Sequence, residues 1–262
     1  NDEKVVLTYH PSSSTSVGNE LNGSHNMNYL HGFCQKCGAW RGQLGLEPDP
    51  NLYIKHLVDI FDEVKRVLKK SGTCWVNLGD SYSGGANNND AKKMGGLPDK
   101  SLPDKCLVQI PSRFALEMVN RGWILRNEII WHKPNCMPSS VTDRFTVDFE
   151  KVFFFVKSKK YYFKQQLEPL ISEPHAPGRI KICITDDEIP RNNPAHPDQN
   201  QNRIWGTVEG RNKRTVWTIS TKPYSGSHFA VFPIDLIAPM IDAGCPKDGT
   251  VLDIFSGSGT VL

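Results

Sequence analysis

The sequence predicts an α/β fold in which strands alternate with helices around a largely parallel sheet. Two observations support this prediction. Short apolar runs typical of buried strands alternate with longer segments whose apolar residues recur at helical spacing, and glycines follow several of these segments. The composition, with 38% hydrophobic and 23% charged residues, is that of an ordinary globular protein. No apolar run has the length that spans a membrane.

The first half of the chain predicts two strands and a helix. Residues 5–7 are an apolar run that predicts a strand, and a Ser/Asn/Gly-rich loop follows it. After Pro50, apolar residues recur at helical spacing, and Ser71-Gly72 is expected to end this helix. Residues 73–78 then predict a buried strand that leads into a turn over residues 79–85.

The second half of the chain predicts two more helices. Pro111 is expected to open one that stops at Arg121-Gly122, since proline suits the first helical turn. The other is expected over residues 233–243, with a stop at Gly244. Strands are predicted over residues 123–131, 151–156 and 250–254, and ordered structure is expected to resume at residues 215–217.

Composition divides the chain into three parts. Residues 168–214 are rich in Pro, Asn, Asp, Gln and Arg and contain few apolar runs, unlike the segments on either side. We therefore predict an α/β part over residues 1–164, an insertion over residues 165–214 and a second α/β part over residues 215–262. The run Phe153-Phe154-Phe155, which precedes the insertion, is predicted to be core strand.

The last residues of the chain predict a ligand-binding loop. Ligands of α/β sheets bind at the carboxyl ends of strands, and a strand here ends in Phe-Ser-Gly-Ser-Gly. Gly257 and Gly259 allow a sharp turn and a close approach to a ligand, while Phe255 can lie against an adenine or a methionine chain. A nicotinamide-cofactor loop would have a third glycine where Leu262 stands, and an ordinary strand turn is the remaining alternative.

Four separated blocks of sequence, taken in order, resemble a known family. They are GLEPDPNLYIKHLVDIFDEVKRVLKKSGTCWVNLGDSYSGG, GWILRNEIIWHKPNCMPSS, RNKRTVWTI and HFAVFPIDLIAPMIDAGCPKDGTVLDIFSGSGT. The chain resembles the S-adenosylmethionine-dependent DNA amino-methyltransferases, which methylate cytosine N4 or adenine N6. It is similar to the permuted subgroup, whose Phe-Pro-helix motif precedes the glycine loop. The resemblance covers most of residues 45–260.

The resemblance implies a Rossmann-like methyltransferase sheet with an inserted, loop-rich target-recognition region. It also implies S-adenosyl-L-methionine as the cofactor. Asp80 would bind the methionine amino group, or would instead cap its own turn. The implied cofactor-binding residues are Phe229, Pro233, Asp253, Phe255, Gly257, Gly259, Thr260 and Asp80.

DNA is the partner that the resemblance implies. Lysine and arginine neutralise phosphates, and arginine or asparagine can contact base edges. The alternatives are a rigid proline turn for the loop that follows His132, and a solvated loop with scattered charges for the insertion. The residues implied near the target base or the DNA are Trp131, His132, Lys133, Asn135, Arg211 and Arg214.

The catalytic motif of the family, Ser or Asp followed by Pro-Pro and an aromatic residue, is absent. Its position falls near residues 7–17, which read LTYHPSSSTSV, so no catalytic residue is assigned. In a complete member the glycine loop leads into a helix and a strand that ends in an acidic residue. Because nothing follows Leu262, the chain is expected to be incomplete.

These observations favour a DNA methyltransferase of a restriction-modification system, with cytosine N4 preferred over adenine N6 and a companion restriction endonuclease as a possible partner. A non-catalytic DNA-binding relative is the alternative from another class, and a nicotinamide oxidoreductase is the third hypothesis.

The cysteines favour a reducing environment. Seven is an odd number, and most of the cysteines stand singly inside apolar segments, which favours free thiols over a disulfide framework. This predicts an intracellular protein, in the cytoplasm or with DNA, and in the nucleus if the source is eukaryotic. Cys34 and Cys37 form one Cys-x-x-Cys pair. A structural zinc site needs four ligands, which His10, His25 or His31 would have to complete, so free thiols are the favoured interpretation and no metal is predicted.

Overall fold

A computed structural model describes residues 5–8, 29–30, 33–34, 36–37, 39–83, 102–169, 210–222, 231–257 and 259–261. Its helices are α1 (Pro50–Val67), α2 (Ile110–Asn120) and α3 (Ile234–Gly244). Its strands are β1 (Val5–Thr8), β2 (Tyr29–Leu30), β3 (Phe33–Cys34), β4 (Thr73–Leu78), β5 (Ile124–His132), β6 (Phe149–Val156), β7 (Leu167–Glu168), β8 (Arg211–Asn212), β9 (Val216–Thr218) and β10 (Thr250–Asp253).

Six strands form the main sheet, in the order β10-β1-β4-β6-β5-β9. β1 lies parallel to both β10 and β4, and β5 lies parallel to β9. β6 is antiparallel to its two neighbours, β4 and β5. Five strands of this sheet therefore point the same way and β6 points against them, which confirms the α/β prediction and adds one reversed strand that the sequence analysis did not predict.

The two faces of the sheet carry separate hydrophobic clusters because strand side chains alternate between faces. On one face, Cys74, Phe153 and Phe155 pack with the apolar residues of α1 and α2. On the other face, Trp75 and Phe154 pack with the apolar residues of α3. The sheet is thus a middle layer between helices, as expected for a largely parallel sheet that is buried on both faces.

The central strands form the most buried part of the protein. All six residues of β4 are buried. Phe153, Phe154 and Phe155 are at most 2% exposed, which confirms the prediction that this run lies in the core. The rings of Trp75 and Phe154 stack with centroids 4.2 Å apart and an interplanar angle of 5°.

Helix α1 ends earlier than the sequence analysis expected. Asp49 caps its first turn by accepting a hydrogen bond from the backbone N–H of Asn51. The helix ends at Val67, and not at Ser71-Gly72, because Leu68 adopts an extended conformation with ψ of 133°. Leu68 is 1% exposed in this position, so burial of its side chain turns the backbone out of the helix before the glycine is reached.

The other predicted elements, including β9, lie within two residues of their expected bounds, whereas the two-residue strands β2, β3, β7 and β8 were not predicted. Arg121, which follows α2, holds that helix to α1, since its Nη1 lies 2.6 Å from carboxylate oxygens of both Asp59 and Asp62. None of the described helices is long and apolar enough to cross a membrane.

Residues 164–214 form a compact unit separate from the rest of the chain. Within it, the structure describes residues 164–169 and 210–214, where β7 and β8 pair in antiparallel fashion. The arginine- and asparagine-rich middle of the predicted insertion lies outside the described residues.

Candidate functional site

Polar side chains gather at one edge of the main sheet. Because β10, β4 and β5 run in the same direction, their carboxyl ends meet there and carry Asp253, Asp80 and Lys133. The reversed β6 begins at this edge, since Leu78 pairs with Lys151 and His132 pairs with Phe149. This is the edge at which ligands of α/β sheets bind.

The glycine loop turns sharply at the end of β10. Gly257 has a φ of 48° and Gly259 a φ of 76°, in the region where side chains are strained. The N–H of Gly259 donates to the carbonyl of Ser256 over 2.6 Å, which closes the turn. These backbone angles give a physical reason for both glycines.

Asp253 anchors the start of this loop. Its Oδ1 accepts a hydrogen bond from the N–H of Phe255 over 3.0 Å. Burial raises the pKa of Asp253, and the hydrogen bond from Phe255 opposes that effect only in part. The loop therefore begins with a half-buried carboxylate, and the described hydrogen bond uses one of its two oxygens.

The segment before α3 shares a hydrophobic cluster with the far end of the glycine loop. Pro233 is buried and precedes the first residue of α3. Phe232, which is 9% exposed, lies in the cluster against which Val261 packs. Phe255 packs against the cluster on the other face, and Thr260 is partly buried. Phe229, the remaining predicted cofactor residue, lies outside the described residues.

Asp80 caps helix α2 from a distance in sequence. Its Oδ1 accepts hydrogen bonds from the N–H of Ile110 over 3.0 Å and from the N–H of Ser81 over 2.9 Å. Gln109, which precedes the helix, has a φ of 64° and makes no capping hydrogen bond with its own side chain. Burial raises the pKa of Asp80 despite these N–H groups. Asp80 Oδ1 therefore caps its own turn, which was the alternative to cofactor binding in the sequence analysis, and it also caps α2.

An ion pair lies between the Asp80 turn and the end of β5. Lys133 pairs with Glu150, and the two side chains are only 18% and 20% exposed. The carboxyl carbon of Glu150 lies 3.8 Å from the position that a Cβ on Gly79 would take. Lys133 Nζ also lies 4.3 Å from the ring centroid of Trp131. The pair is therefore held next to the turn after β4.

Trp131, predicted among the residues near DNA, lies in the core. It is 2% exposed, and its Nε1 donates to the carbonyl of Ile219 over 2.8 Å. The strand continues through His132, and the side chain of Trp131 points into the cluster beside α3. The face of the indole contacts Lys133, and the side chain is too buried to contact a ligand directly.

His132 contacts the end of β9, and Asn135 contacts the segment that follows β9. His132 Nδ1 lies 3.1 Å from Thr218 Oγ1, and Nε2 lies 3.6 Å from a carboxylate oxygen of Asp148. Asn135 makes two hydrogen bonds with Thr221: its amide donates to the carbonyl over 2.9 Å and its Oδ1 accepts from the N–H over 2.8 Å. Asn135 is exposed and its amide is engaged with backbone.

Arg211 and Arg214 both bind Glu168 inside the inserted unit. The Nε atoms of the two arginines lie 2.8 and 2.7 Å from Glu168 Oε1. Although burial acts to raise it, the pKa of Glu168 is lowered, because the backbone N–H of Arg214 and the two guanidinium groups stabilise the charged form. Arg211 Nη2 is buried and has no hydrogen-bond partner among the described residues. These contacts fix the guanidinium groups on the β7–β8 pair.

Sequence reasoning missed the segment between β5 and β6. Arg144 stacks on Tyr82, with its guanidinium carbon 3.7 Å from the ring centroid, and Asp143 pairs with Lys105 over 2.6 Å. These contacts hold residues 143–144 against the turn that follows β4 and against the loop that precedes α2. Phe145, the next residue, is 96% exposed. The sequence contains one signal for this segment, which is a phenylalanine that directly follows the polar residues Thr-Asp-Arg.

The described residues include no group of three or more side chains that could hold a metal ion. The pKa of Cys34 is lowered because the backbone N–H groups of Cys37 and Lys36 donate to its sulfur. His10, His25 and His31 lie outside the described residues, as do residues 9–17, where the catalytic motif of the resembled family would stand.

Comparison with known proteins identifies the family. The N6/N4 DNA methylase family matches residues 6–262. Type II methyltransferase M.SmaI of Serratia marcescens is 40% identical over 228 residues, which cover 84% of this chain and 68% of that protein. Type II methyltransferase M.Cfr9I of Citrobacter freundii is 39% identical over 228 residues, covering 84% of this chain and 65% of that protein.

A solved structure shows the same fold. The PvuII DNA methyltransferase, described as cytosine-N4-specific, superposes with a TM-score of 0.54 at 16% identity, over 98% of this chain and 70% of that one. The chain spans about two thirds of the length of the curated relatives it matches. The resemblance seen in the sequence is confirmed, and the chain belongs to the N6/N4 DNA methylase family.

Proposed function

We propose that this protein transfers a methyl group from S-adenosyl-L-methionine to cytosine N4 in DNA. The observation that carries the proposal is the meeting of three features at the carboxyl edge of one sheet. These are the Asp253–glycine loop, the Asp80 turn and the Lys133–Glu150 pair. Membership of the DNA methylase family supplies the reaction class.

The glycine loop and its surroundings fit the proposed cofactor. A half-buried carboxylate at Asp253 suits a ligand whose methionine part carries an ammonium and a sulfonium charge. Gly257 and Gly259 let the backbone pass close to such a ligand, and Phe255 offers an aromatic wall. S-adenosylmethionine supplies the electrophilic methyl group. We assign Pro233, Thr260 and Phe229 to the same pocket on the basis of the family resemblance.

Positioning accounts for most of the proposed catalysis. An aromatic exocyclic amine is a weak nucleophile because its lone pair is delocalised into the ring. The protein must therefore hold the nitrogen in line with the methyl group, after the base has left the helical stack. Lys133, fixed by Glu150 and by the face of Trp131, is positioned to contact the phosphate or the base at this edge.

The choice of cytosine N4 has its support in the PvuII enzyme, which has this fold and is described as specific for that nitrogen. Adenine N6 is the alternative, because the family covers both reactions. A relative that binds DNA without transferring a methyl group would bind cofactor and DNA and leave the nucleosides unchanged. A companion restriction endonuclease is proposed from the type II relatives.

Mass spectrometry of nucleosides tests the proposal. DNA from a host without its own methyltransferases is digested to nucleosides after expression of the protein. We expect N4-methylcytosine in the wild-type sample, and a lower amount of it in an Asp253→Asn variant that is produced at the same level. N6-methyladenine in place of N4-methylcytosine would overturn the choice of nitrogen, and unmodified DNA would overturn the proposed activity.

A further inference from the structure

The segment that joins β5 to β6 carries exposed apolar side chains. It runs over residues 133–148, from the carboxyl end of β5 to the start of the reversed β6. Met137 is 87% exposed and Phe145 is 96% exposed, and Val141 and Val147 are exposed as well. Apolar side chains that stay exposed along one segment are typical of a surface that contacts a partner.

Two contacts fix the backbone that leads into Phe145. The guanidinium carbon of Arg144 lies 3.7 Å from the ring centroid of Tyr82. Asp143, the residue before it, pairs with Lys105 over 2.6 Å. Because two consecutive residues are held against the body of the protein, the exposed ring of Phe145 projects from a fixed position.

This position lies at the carboxyl edge of the sheet, beside the candidate site. Tyr82 follows Asp80 by two residues in the turn after β4. The N–H of Lys133 donates to the carbonyl of Asp148 over 2.7 Å, so the segment begins and ends at the same edge. Phe145 therefore lies on the side of the sheet to which the proposed function brings the methylated base.

The proposed reaction opens a gap in the DNA next to this edge. A base that is modified on its exocyclic amine must leave the stack of the duplex. It stays attached to its strand, so the gap that it leaves lies close to the edge that receives the base. The neighbouring bases lose a stacking partner, and an inserted phenylalanine can occupy the space between base steps.

We propose that Phe145 inserts into the duplex at the gap left by the methylated base and stacks on the neighbouring base. The proposal rests on the proposed function, which brings the duplex to this edge. The flat ring of Phe145 suits this role better than the chain of Met137, because bases of any sequence stack on aromatic rings. The exposed Arg144 adds a positive charge beside the ring, which suits the flanking phosphates. Phe145 is thus a positioning residue that keeps the base outside the stack.

Methyl transfer to a paired and to a mismatched duplex tests the proposal. The methylated sequence is read from the DNA of the expression host and placed in a short duplex, with either the normal or a mismatched base opposite the methylated one. Transfer of tritiated methyl groups from S-adenosylmethionine gives kcat/KM. Phe145→Ala is expected to lower kcat/KM about tenfold on the paired duplex, the effect of one base stacked on an aromatic ring. The loss should be about twofold or less on the mismatched duplex, because a mismatched base leaves the stack at lower cost.

Two variants serve as controls. Phe145→Trp keeps a flat ring and should retain the wild-type kcat/KM on both duplexes. Leu116→Ala removes an apolar side chain that is 67% exposed on α2, and it should also leave kcat/KM unchanged. Thermal unfolding and cofactor binding by calorimetry are expected to be the same in Phe145→Ala and the wild type, since the ring is almost fully exposed.

Equal kcat/KM of Phe145→Ala and wild type on the paired duplex would overturn the proposal, and so would an equal loss on both duplexes. A loss in Phe145→Trp as large as in Phe145→Ala would contradict stacking. If sedimentation shows a wild-type dimer that Phe145→Ala dissociates, the ring covers a second copy of the chain and the proposal is wrong. Absence of transfer by the wild type would overturn the proposed function and this inference together, whereas an active wild type with an equally active Phe145→Ala would overturn this inference alone.

Discussion

At the residue scale, burial and a hydrogen bond shift the pKa of Asp253 in opposite directions. Burial raises its pKa, and the N–H of Phe255 lowers it without cancelling the effect. A carboxyl group with a higher pKa in the folded state binds its proton more tightly when the protein is folded. The contribution of Asp253 to the free energy of unfolding therefore falls as the pH rises from the ordinary value of 3.8 through the raised pKa.

The variant Asp253→Asn tests whether the charge of Asp253 lowers the stability of the ligand-free protein. Asparagine keeps an Oδ1 acceptor for Phe255 and removes the charge, so the ligand-free variant is expected to be at least as stable as the wild type at pH 7. Its advantage should shrink as the pH falls towards 3.8, where the wild-type carboxyl group becomes neutral. Urea unfolding at several pH values measures this. A variant less stable than the wild type at pH 7 would contradict the account.

Asp80 is expected to contribute through its cap on α2. Asp80→Ala removes an acceptor that serves the N–H groups of Ile110 and Ser81. It should lower the free energy of unfolding by about 1–2 kcal/mol, as for other helix caps. Asp80→Asn retains Oδ1 and is the matched control, with a smaller expected loss. Equal stability of Asp80→Ala and wild type in chemical unfolding would show that the cap is unimportant.

Trp131 is expected to act on stability and not directly on DNA. Trp131→Phe keeps most of the apolar packing and removes the hydrogen bond to Ile219, which should lower the free energy of unfolding by about 1 kcal/mol. DNA affinity of the folded variant, measured by anisotropy, should change little. A large loss of affinity in a variant of unchanged stability would place the indole at the DNA surface instead.

At the element scale, the glycine loop depends on backbone conformation. Gly257→Ala and Gly259→Ala place a side chain where φ is positive, which should cost about 1–2 kcal/mol at each position. Gly45→Ala is the matched control, because Gly45 has a φ of 93° and open space around it, far along the chain from the loop. Thermal unfolding should show comparable losses in the three variants. If only Gly45→Ala is destabilised, the loop does not have the described conformation.

The elements themselves were largely predictable from apolar periodicity. The Phe153–Phe155 run and the strand over residues 73–78 needed only a continuous apolar pattern. The direction of β6 was not predictable, because the loop of residues 133–148 is long enough for a parallel or an antiparallel connection. The Lys133–Glu150 pair was missed for the same reason, since only the reversed β6 brings Glu150 to the edge where β5 ends.

Resemblance to the family predicted more residues of the candidate site than the periodicity of apolar residues did. The positive φ angles of Gly257 and Gly259 agree with a loop that requires glycine. The burial of Trp131 was not predicted, because its neighbours His132 and Lys133 are polar and β5 runs one residue further than expected. Long-range contacts such as Arg144 on Tyr82 leave no periodic pattern in the sequence.

At the scale of the whole molecule, charge is distributed unevenly despite a net charge of only +3. Carboxylates lie at the edge that holds the glycine loop, whereas Lys70, Lys159 and Lys160, for which the described residues provide no ion pair, lie at the opposite edge. In the proposed reaction, the cationic methyl donor and the base of the polyanionic substrate meet at the edge of the glycine loop, where Lys133 also lies. Carboxylates can hold the donor there and Lys133 can face a phosphate, although the net charge of the protein is modest.

Equilibrium dialysis with radiolabelled S-adenosylmethionine tests most directly the claim that the Asp253–glycine loop binds the methyl donor. We predict saturable binding of one molecule per wild-type chain and an unchanged affinity in Gly45→Ala. Affinity should fall about tenfold in Gly257→Ala and in Asp253→Asn, which corresponds to about 1.4 kcal/mol. Absence of saturable binding to the folded wild type, or equal affinity in all four proteins, would contradict the account.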